Sequence, residues 1–267
     1  MKITELMDLK GKRALVTGGA GHIGPVAAQV LMELGAEVII SDRNPHKLGN
    51  KAKELGLDDN HWLAADLTQE PDMAMLPRFA SDRMFGPLDI FVHCAALTGL
   101  GEGIRQGWAT DFEHQSVQSF RYSLDVGLTA PFVICQEMLK DKPDTTGIVV
   151  LFSSIYGLVA PAMSLYEGIE GVPVGPAGYS ATKGGQIALT RHLASVMAPD
   201  FRVNCLVPGG IQRGQPAEFV QRYSSRTLLG IMGVEDDMRG AIAFLCSEMS
   251  GYMTGATLVV DGGFTAI

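Results

Sequence analysis

Short apolar runs alternate along the chain with longer segments in which apolar residues recur at helical spacing. The short runs are rich in Val, Ile and Leu, which is typical of strands buried on both faces of a parallel sheet. This alternation predicts a single α/β domain over residues 1–267, with a doubly wound parallel sheet and helices on both faces. Strands are predicted at residues 13–17, 37–41, 61–65, 88–92, 148–152, 202–207 and 256–260, and helices include 115–139 and 234–246.

A glycine-rich segment follows the first predicted strand. It reads Gly18-Gly19-Ala20-Gly21-His22-Ile23-Gly24, and a helical pattern begins at Ile23. Without side chains, the backbone N–H groups of such a turn can approach a pyrophosphate at the positive end of the helix. The segment therefore predicts a nucleotide site, with a plain tight turn as the alternative.

Acidic residues end the second and third predicted strands. Asp42 lies about 20 residues after the glycines, where a carboxylate accepts the ribose hydroxyls of a dinucleotide and repels a 2′-phosphate. We therefore expect NAD rather than NADP as the cofactor, although Arg43 can partly compensate. Asp66 and Leu67 are placed to meet the adenine, whereas the alternative is that Asp66 or Thr68 caps the next helix.

A phenol and an ammonium group stand one helical turn apart at Tyr179 and Lys183. A fixed positive charge favours the phenolate, so Lys183 is expected to lower the pKa of Tyr179 toward neutrality. Such a phenol can protonate a carbonyl oxygen or accept the proton of an alcohol. Taken without other evidence, Tyr179 and Lys183 have the alternative interpretation of a solvated helix face. Ser154, however, follows an apolar strand and is expected to hydrogen-bond the same substrate oxygen.

Composition excludes several classes of protein. The 267 residues are 46% hydrophobic and 19% charged, which is typical of a globular domain with a large core. The net charge of -8 argues against nucleic-acid binding. Four widely spaced cysteines in apolar contexts predict reduced core residues rather than metal ligands. No signal peptide or membrane span is predicted, so we expect a cytoplasmic protein.

Taken in register, these motifs resemble the short-chain dehydrogenase/reductase superfamily in its single-domain branch. The resemblance rests on Leu9-Lys10-Gly11-Lys12, the Thr17-Gly18 loop, Asp42, Asp66, Ser154, Tyr179, Lys183, Pro208-Gly209 and Asp261-Gly262-Gly263. It implies a Rossmann fold, a homotetramer or homodimer, and NAD as cofactor, with Tyr179 as acid/base, Lys183 on the nicotinamide ribose and Ser154 on the substrate. The implied cofactor-binding residues are Gly18, Gly21, His22, Ile23, Gly24, Asp42, Asp66, Leu67, Ala95, Tyr179, Lys183, Pro208, Gly209 and Ile211.

Four positions depart from the family pattern. His22 occupies the second glycine position of the loop, and His93-Cys94-Ala95-Ala96 replaces Asn-Asn-Ala-Gly. We expect His93 to be a core histidine rather than a catalytic one. Gly127 aligns with the asparagine of the family's catalytic tetrad, which removes an anchor of the water chain from the lysine, although glycine permits a helix kink there. Arg213 replaces a common threonine and is expected to reach a pyrophosphate or an anionic substrate.

Two segments are expected to shape the substrate pocket: an extended loop at residues 155–178 and a covering segment at 211–232. In the second segment three arginines, Arg213, Arg222 and Arg226, face one acid, Glu218, which favours a polar or anionic substrate. The candidate substrate residues are Tyr156, Tyr166 and Arg213. Trp108 is expected to stack on a sugar ring or to pack under a loop.

These observations predict an NAD(H)-dependent oxidoreductase that interconverts a secondary alcohol and a ketone on a sugar, sugar acid or nucleotide-linked sugar. The tyrosine and glycine elements of the two segments resemble a subgroup linked to bacterial surface-sugar and flagellin-glycan modification. One alternative is a catalytically inactive dinucleotide-binding sensor or scaffold. A second is a 3-oxoacyl reductase-like enzyme that uses NADPH. We expect a small-molecule substrate and neither nucleic acid, membrane nor metal.

Overall fold

The structure, a computed structural model, describes residues 2–97, 110–169, 172 and 174–267. Within these ranges the chain forms seven strands and nine α-helices. The strands are β1 Arg13–Thr17, β2 Glu37–Asp42, β3 Trp62–Ala64, β4 Ile90–His93, β5 Gly147–Phe152, β6 Phe201–Pro208 and β7 Thr257–Val260. The helices are α1 Ile3–Leu6, α2 Ile23–Glu33, α3 Pro45–Glu54, α4 Glu70–Arg83, α5 Val117–Leu124, α6 Ala130–Lys140, α7 Ala177–Met197, α8 Ala217–Ser224 and α9 Arg239–Leu245.

The strands form one sheet in the order β3-β2-β1-β4-β5-β6-β7, and every neighbouring pair is parallel. The strands β2 and β3 are thus added on one side of β1, and the strands from β4 onward on its other side, so the order of addition reverses between β1 and β4. In such sheets, ligands bind outside the carboxyl ends of the strands at this reversal. Thr17 lies opposite His93 there, so the glycine turn and the segment after β4 are neighbours.

Alternate residues of the strands pack into two cores on opposite faces of the sheet. On one face Val16 packs with side chains of α2, α3 and α9. On the other face its neighbour Leu15 packs with side chains of α4, α6 and α7. Both faces of every central strand are thus covered, which explains the continuous apolar runs in the sequence. The predicted doubly wound sheet with helices on both faces is confirmed. None of the helices in the described part of the chain is long and apolar enough to cross a membrane.

The helix predicted at 115–139 is divided in the structure. α5 ends at Leu124, a π-helical turn spans Asp125–Thr129, and α6 continues from Ala130. The expected kink therefore falls on Gly127. The helix predicted at 234–246 likewise begins with a 3₁₀ turn at Glu235–Met238 before α9.

Candidate active site

A large cleft, of about 1220 Å³, lies at the carboxyl ends of the strands. Single-ligand pockets typically occupy ~300–1,000 Å³, so this cleft has room for a dinucleotide together with a substrate. Every candidate residue from the sequence lines it. These are Gly18, Gly21, His22, Ile23, Gly24, Asp42, Asp66, Leu67, Ala95, Ser154, Tyr156, Tyr166, Tyr179, Lys183, Pro208, Gly209, Ile211 and Arg213.

The glycine loop forms an open backbone cradle before α2. Gly18 has φ +76°, and a Cβ there would lie 2.8 Å from the Ala95 nitrogen. A Cβ on Gly24 would lie 2.1 Å from the Gly18 carbonyl oxygen. Side chains at these positions would therefore clash with the backbone of the loop itself and of the segment after β4, so the close approach of these segments requires glycine. The cradle fits the pyrophosphate of a dinucleotide, which needs close backbone approach and the positive end of a helix.

The first departure from the family pattern, His22, contacts the opposite side of the cleft. Its Nδ1 lies 3.8 Å from Glu235 Oε1, and the same oxygen accepts a hydrogen bond from Arg213 Nε at 2.8 Å. Burial and the nearby Arg213 charge lower the pKa of His22. Glu235 thus links His22 of the glycine loop to Arg213 of the covering segment.

The end of the cleft beside Asp42 carries both acidic and basic groups. Asp42 Oδ2 accepts a hydrogen bond from the Ala20 nitrogen at 3.2 Å, which fixes the carboxylate beside the glycine loop. The exposed residues Arg43, His46 and Lys47 line the same end.

Asp66 is oriented within its own loop. Its Oδ1 accepts hydrogen bonds from the Thr68 nitrogen at 3.0 Å and the Thr68 hydroxyl at 2.9 Å. Helix α4 begins at Glu70 with Gln69 as its N-cap, so the alternative in which Asp66 or Thr68 caps that helix is wrong.

The candidate catalytic side chains meet at the carboxyl end of β5. Lys183 Nζ donates to the Phe152 carbonyl oxygen at 2.6 Å and lies 5.5 Å from the centroid of the Tyr179 ring. The Ser153 hydroxyl donates to the Lys183 carbonyl oxygen at 2.6 Å, which ties α7 to the end of β5. Ser154 Oγ accepts a hydrogen bond from the Tyr156 nitrogen at 3.2 Å, and the Ser154 side chain also hydrogen-bonds Tyr179.

The electrostatics of the pair Tyr179 and Lys183 differ from the sequence-based expectation. Burial raises the pKa of Tyr179, while a hydrogen bond with Ser154 and the charge of Arg213 act in the opposite direction. Burial also lowers the pKa of Lys183 to about 8. Because desolvation dominates both groups, the net pKa shift of Tyr179 is upward, and the expected lowering is wrong for the protein without bound cofactor.

His93 is fully buried beneath the cleft, as expected of a core histidine. Its Nδ1 lies 2.9 Å from the Thr17 hydroxyl, and its Nε2 has no partner of hydrogen-bond geometry in the described part of the chain. Burial and the Lys183 charge lower the pKa of His93 to about 3, against an opposing contribution from the Val126 backbone. The ring is therefore neutral at physiological pH.

An apolar and phenolic chamber occupies the end of the cleft beside Tyr179. The hydroxyls of Tyr156 and Tyr166 hydrogen-bond each other there, and burial raises the pKa of both phenols. Residues from both predicted segments line the chamber, namely Tyr156, Tyr166, Val172, Val174, Ile211, Arg213, Phe219, Tyr223 and Met232.

The three arginines of the covering segment do not act together. Arg213 lines the cleft, whereas Arg222 donates to the Ser164 and Glu167 carbonyl oxygens at 3.1 and 2.7 Å. Arg226 donates to the Ser164 hydroxyl at 3.1 Å. Two of the three therefore hold the two segments together, and only Arg213 lines the cleft, where its Nε pairs with Glu235 Oε1 at 2.8 Å. Trp108 lies outside the described residues.

One polar residue of the site escaped the sequence analysis. Gln186 is fully buried in α7 and accepts a hydrogen bond from Lys183 Nζ at 3.1 Å. The available signal was a polar residue one turn beyond Lys183, on a helix face that otherwise packs against the sheet.

Comparisons with known proteins agree with this geometry. The family model described as enoyl-(acyl carrier protein) reductase matches residues 18–265. The chain belongs to the short-chain dehydrogenase/reductase superfamily of oxidoreductases, which use a nicotinamide dinucleotide.

Its relatives include proteins of different named activities. The chain is 31% identical to the 3-oxoacyl-(acyl-carrier-protein) reductase FabG of Rickettsia bellii, over 98% of this chain and 100% of that protein. It is also 31% identical to the cis-4-hydroxycyclohexanecarboxylate dehydrogenase of Sinomonas cyclohexanicum, over 95% and 96% of the two chains. A crystal structure of a short-chain dehydrogenase from Leptospira borgpetersenii with bound NAD+ has a TM-score of 0.80 and 30% identity, over 99% of this chain and 96% of that one.

Proposed function

We propose that this protein is an NAD(H)-dependent oxidoreductase that interconverts a secondary alcohol and a ketone. One observation carries the proposal: Ser154, Tyr179 and Lys183 converge at one end of a cleft whose other end is a glycine cradle beside Asp42. An inactive sensor or scaffold would need the cradle but would not need a phenol, a hydroxyl and a buried ammonium together. The proposed catalytic residues are accordingly Ser154, Tyr179 and Lys183.

Each of these three side chains has a separate role in the proposed reaction. When bound, the nicotinamide supplies or accepts the hydride. Tyr179 donates its phenolic proton to the substrate carbonyl oxygen during reduction, and the Ser154 hydroxyl donates a hydrogen bond to the same oxygen. Lys183 holds the nicotinamide ribose. Because burial raises the pKa of Tyr179, the phenol is protonated at neutral pH. Reduction should therefore slow, and alcohol oxidation accelerate, as the pH rises through that pKa.

The NAD preference is assigned to Asp42. Its carboxylate, held by the Ala20 nitrogen at 3.2 Å, accepts ribose hydroxyls and repels a 2′-phosphate. The basic residues Arg43, His46 and Lys47 at the same end support a second candidate, an NADPH-dependent 3-oxoacyl reductase, because they suit a 2′-phosphate. The named activity of the Rickettsia bellii relative supports the same candidate.

Titration of nicotinamide fluorescence with NADH and NADPH separates the two cofactors. We expect NADH to bind at least ~10-fold more tightly, which corresponds to about 1.4 kcal/mol. Asp42→Ala should reduce that ratio, whereas Asp58→Ala, which changes an exposed carboxylate far from the cradle, should leave it unchanged. A wild-type protein that binds NADPH more tightly than NADH would contradict the assignment.

For the substrate we propose a cyclic alcohol that carries a polar or anionic substituent, such as a sugar or sugar acid. The apolar chamber suits the face of a ring, the Tyr156 and Tyr166 hydroxyls suit its substituents, and Arg213 suits a negative charge. The named substrate of the Sinomonas cyclohexanicum relative, a ring alcohol with a carboxylate, supports this class. The link to surface-sugar modification stays a prediction.

The assembly and the location are proposals of the same kind. Val117 and Phe120 on α5 and Phe132 on α6 are exposed, which supports pairing of these helices in a homotetramer or homodimer. Light scattering should return a mass of two or four chains of 28.5 kDa each, and the mass of a single chain in solution would contradict the pairing. The four cysteines are free, which supports a cytoplasmic location, to be checked by cell fractionation.

A further inference from the structure

A buried hydrogen-bond chain continues beyond Lys183, away from the cleft. Gln186, which has no exposed surface, accepts from Lys183 Nζ through Oε1 at 3.1 Å. Its Nε2 donates to the Gly127 carbonyl oxygen at 3.0 Å. The carboxamide thus joins α7 to the π-helical turn between α5 and α6, and both of its polar ends are satisfied.

The π-helical turn and the glycine within it suit this contact. A π-helical turn interrupts the regular ladder of helix hydrogen bonds and redirects its carbonyls. A Cβ at position 127 would lie 2.0 Å from Thr182 Cγ2, so the packing of α7 has no space for the asparagine that the family places here. The carboxamide of Gln186, one turn after Lys183 and on the same face of α7 as Thr182, contacts the same turn.

We propose that Gln186 is a positioning residue for Lys183, because its carboxamide couples the lysine ammonium to the Gly127 carbonyl and replaces the missing tetrad asparagine. The inference rests on the proposed role of Lys183 at the nicotinamide ribose. With Phe152 O and Gln186 Oε1 as fixed acceptors, the ammonium is held at two points and its third proton is directed elsewhere. A carboxamide does not titrate near neutral pH, so this bridge anchors the lysine without itself carrying a proton.

In the part of the chain that the structure describes, no carboxylate lies close enough to Lys183 to shift its pKa. Among the described residues, the titratable groups that face it are Tyr179 on α7, His93 at the end of β4, Cys94 directly after β4, and Cys205 in β6. Burial raises the pKa of Tyr179, Cys94 and Cys205 and lowers that of His93, so all four are neutral at physiological pH.

The Lys183 charge is therefore stabilised by neutral acceptors. Because hydrogen bonds to the charged form favour that form, loss of the Gln186 oxygen should lower the pKa of Lys183 further.

Gln186→Met tests this coupling, because methionine has a similar length and no amide. The pKa of Lys183 is measured by NMR in cofactor-free protein with ¹³C-labelled lysine, and its signal is assigned with Lys183→Arg. We expect Gln186→Met to lower that pKa by about one unit. We also expect it to weaken NADH binding by at least about 3-fold, measured by nicotinamide fluorescence at pH 7.5.

Thr190→Val is the matched control. Thr190 is also fully buried, one turn further along α7, and its hydroxyl donates to the Gln186 backbone carbonyl at 2.8 Å without contacting Lys183. Removal of this hydroxyl should leave the pKa of Lys183 unchanged. Equal pKa shifts in Gln186→Met and Thr190→Val, or no shift in either, would overturn the proposal.

Gln186→Glu keeps the test valid if the methionine variant does not fold. A carboxylate in the same position should raise the pKa of Lys183, and an unchanged or lowered value would overturn the proposal. Because the pKa is read without cofactor or substrate, it reports on the Gln186 bridge even if the protein proves not to be a dehydrogenase.

Discussion

His93 shows how one buried side chain can couple the stability of this protein to pH. Its pKa is about 3 in the folded chain, against 6.5 for an unperturbed imidazole. Between these two values the unfolded chain binds a proton that the folded chain does not bind. The free energy of unfolding therefore rises with pH over that interval, and stability is lost as the pH falls below 6.5.

His93→Asn, which restores the family residue, should reduce this acid sensitivity. Between pH 6.5 and 5 the wild type should lose about 2 kcal/mol through this single group, at about 1.4 kcal/mol per pH unit. Over the same interval the free energy of unfolding of His93→Asn should fall by about 2 kcal/mol less than that of wild type, measured by urea unfolding at both pH values. Exposed His46→Asn serves as the control, and equal acid sensitivity of wild type and His93→Asn would contradict a neutral buried ring.

Residue positions were more predictable than residue energetics. The candidate cofactor and catalytic residues could be placed because parallel strands bring their carboxyl ends to one edge, so motif order alone puts Asp42, Ser154 and Tyr179 beside one cleft. The upward pKa shift of Tyr179 could not be predicted, because desolvation depends on the packing of other elements. Gln186 was missed for a related reason: its partners lie on another turn of α7 and in a separate helix.

At the scale of elements, the glycine loop before α2 is the most constrained part of the site. Gly24→Ala places a Cβ 2.1 Å from the Gly18 carbonyl oxygen, so the turn must move. Such overpacking typically costs about 1–3 kcal/mol, and NADH affinity should fall at least about 10-fold.

Gly240→Ala is the control for that loop, since a Cβ at Gly240 in α9 meets nothing within 4 Å. It should leave NADH affinity unchanged in the same fluorescence titration. Unaltered affinity in Gly24→Ala would mean that the cradle does not bind the dinucleotide.

The division between α5 and α6 could be predicted only in part. Gly127 indicated a kink, but the apolar periodicity from 115 to 139 continues on both sides of it. A π-helical turn adds one residue without interrupting the run of apolar positions, so the pattern alone does not locate its ends. In the structure, Thr182 and Gln186 of α7 pack against Gly127 within that turn, and the sequence pattern does not reveal these contacts.

At the scale of the whole molecule, the alternation of strands and helices was sufficient to predict the architecture. Continuous apolar strands require cover on both faces, and right-handed crossovers leave few orders for them. The substrate class could be predicted less well. The sequence does not reveal that Arg222 and Arg226 bind the loop at 155–178 and are therefore not available to a substrate. The claim that does not depend on the identity of the substrate is that Tyr179 transfers the proton when an alcohol and a ketone are interconverted.

Turnover by wild type and Tyr179→Phe tests that claim most directly. NADH oxidation is followed by absorbance with a panel of keto sugars, cyclic keto acids and 3-oxoacyl thioesters. We predict that wild type reduces at least one cyclic ketone and that Tyr179→Phe loses about 10²–10⁴-fold in rate while still binding NADH. Tyr252→Phe, at a fully exposed phenol, should behave as wild type. Equal rates in wild type and Tyr179→Phe, or no turnover by wild type with any member of the panel, would contradict the account.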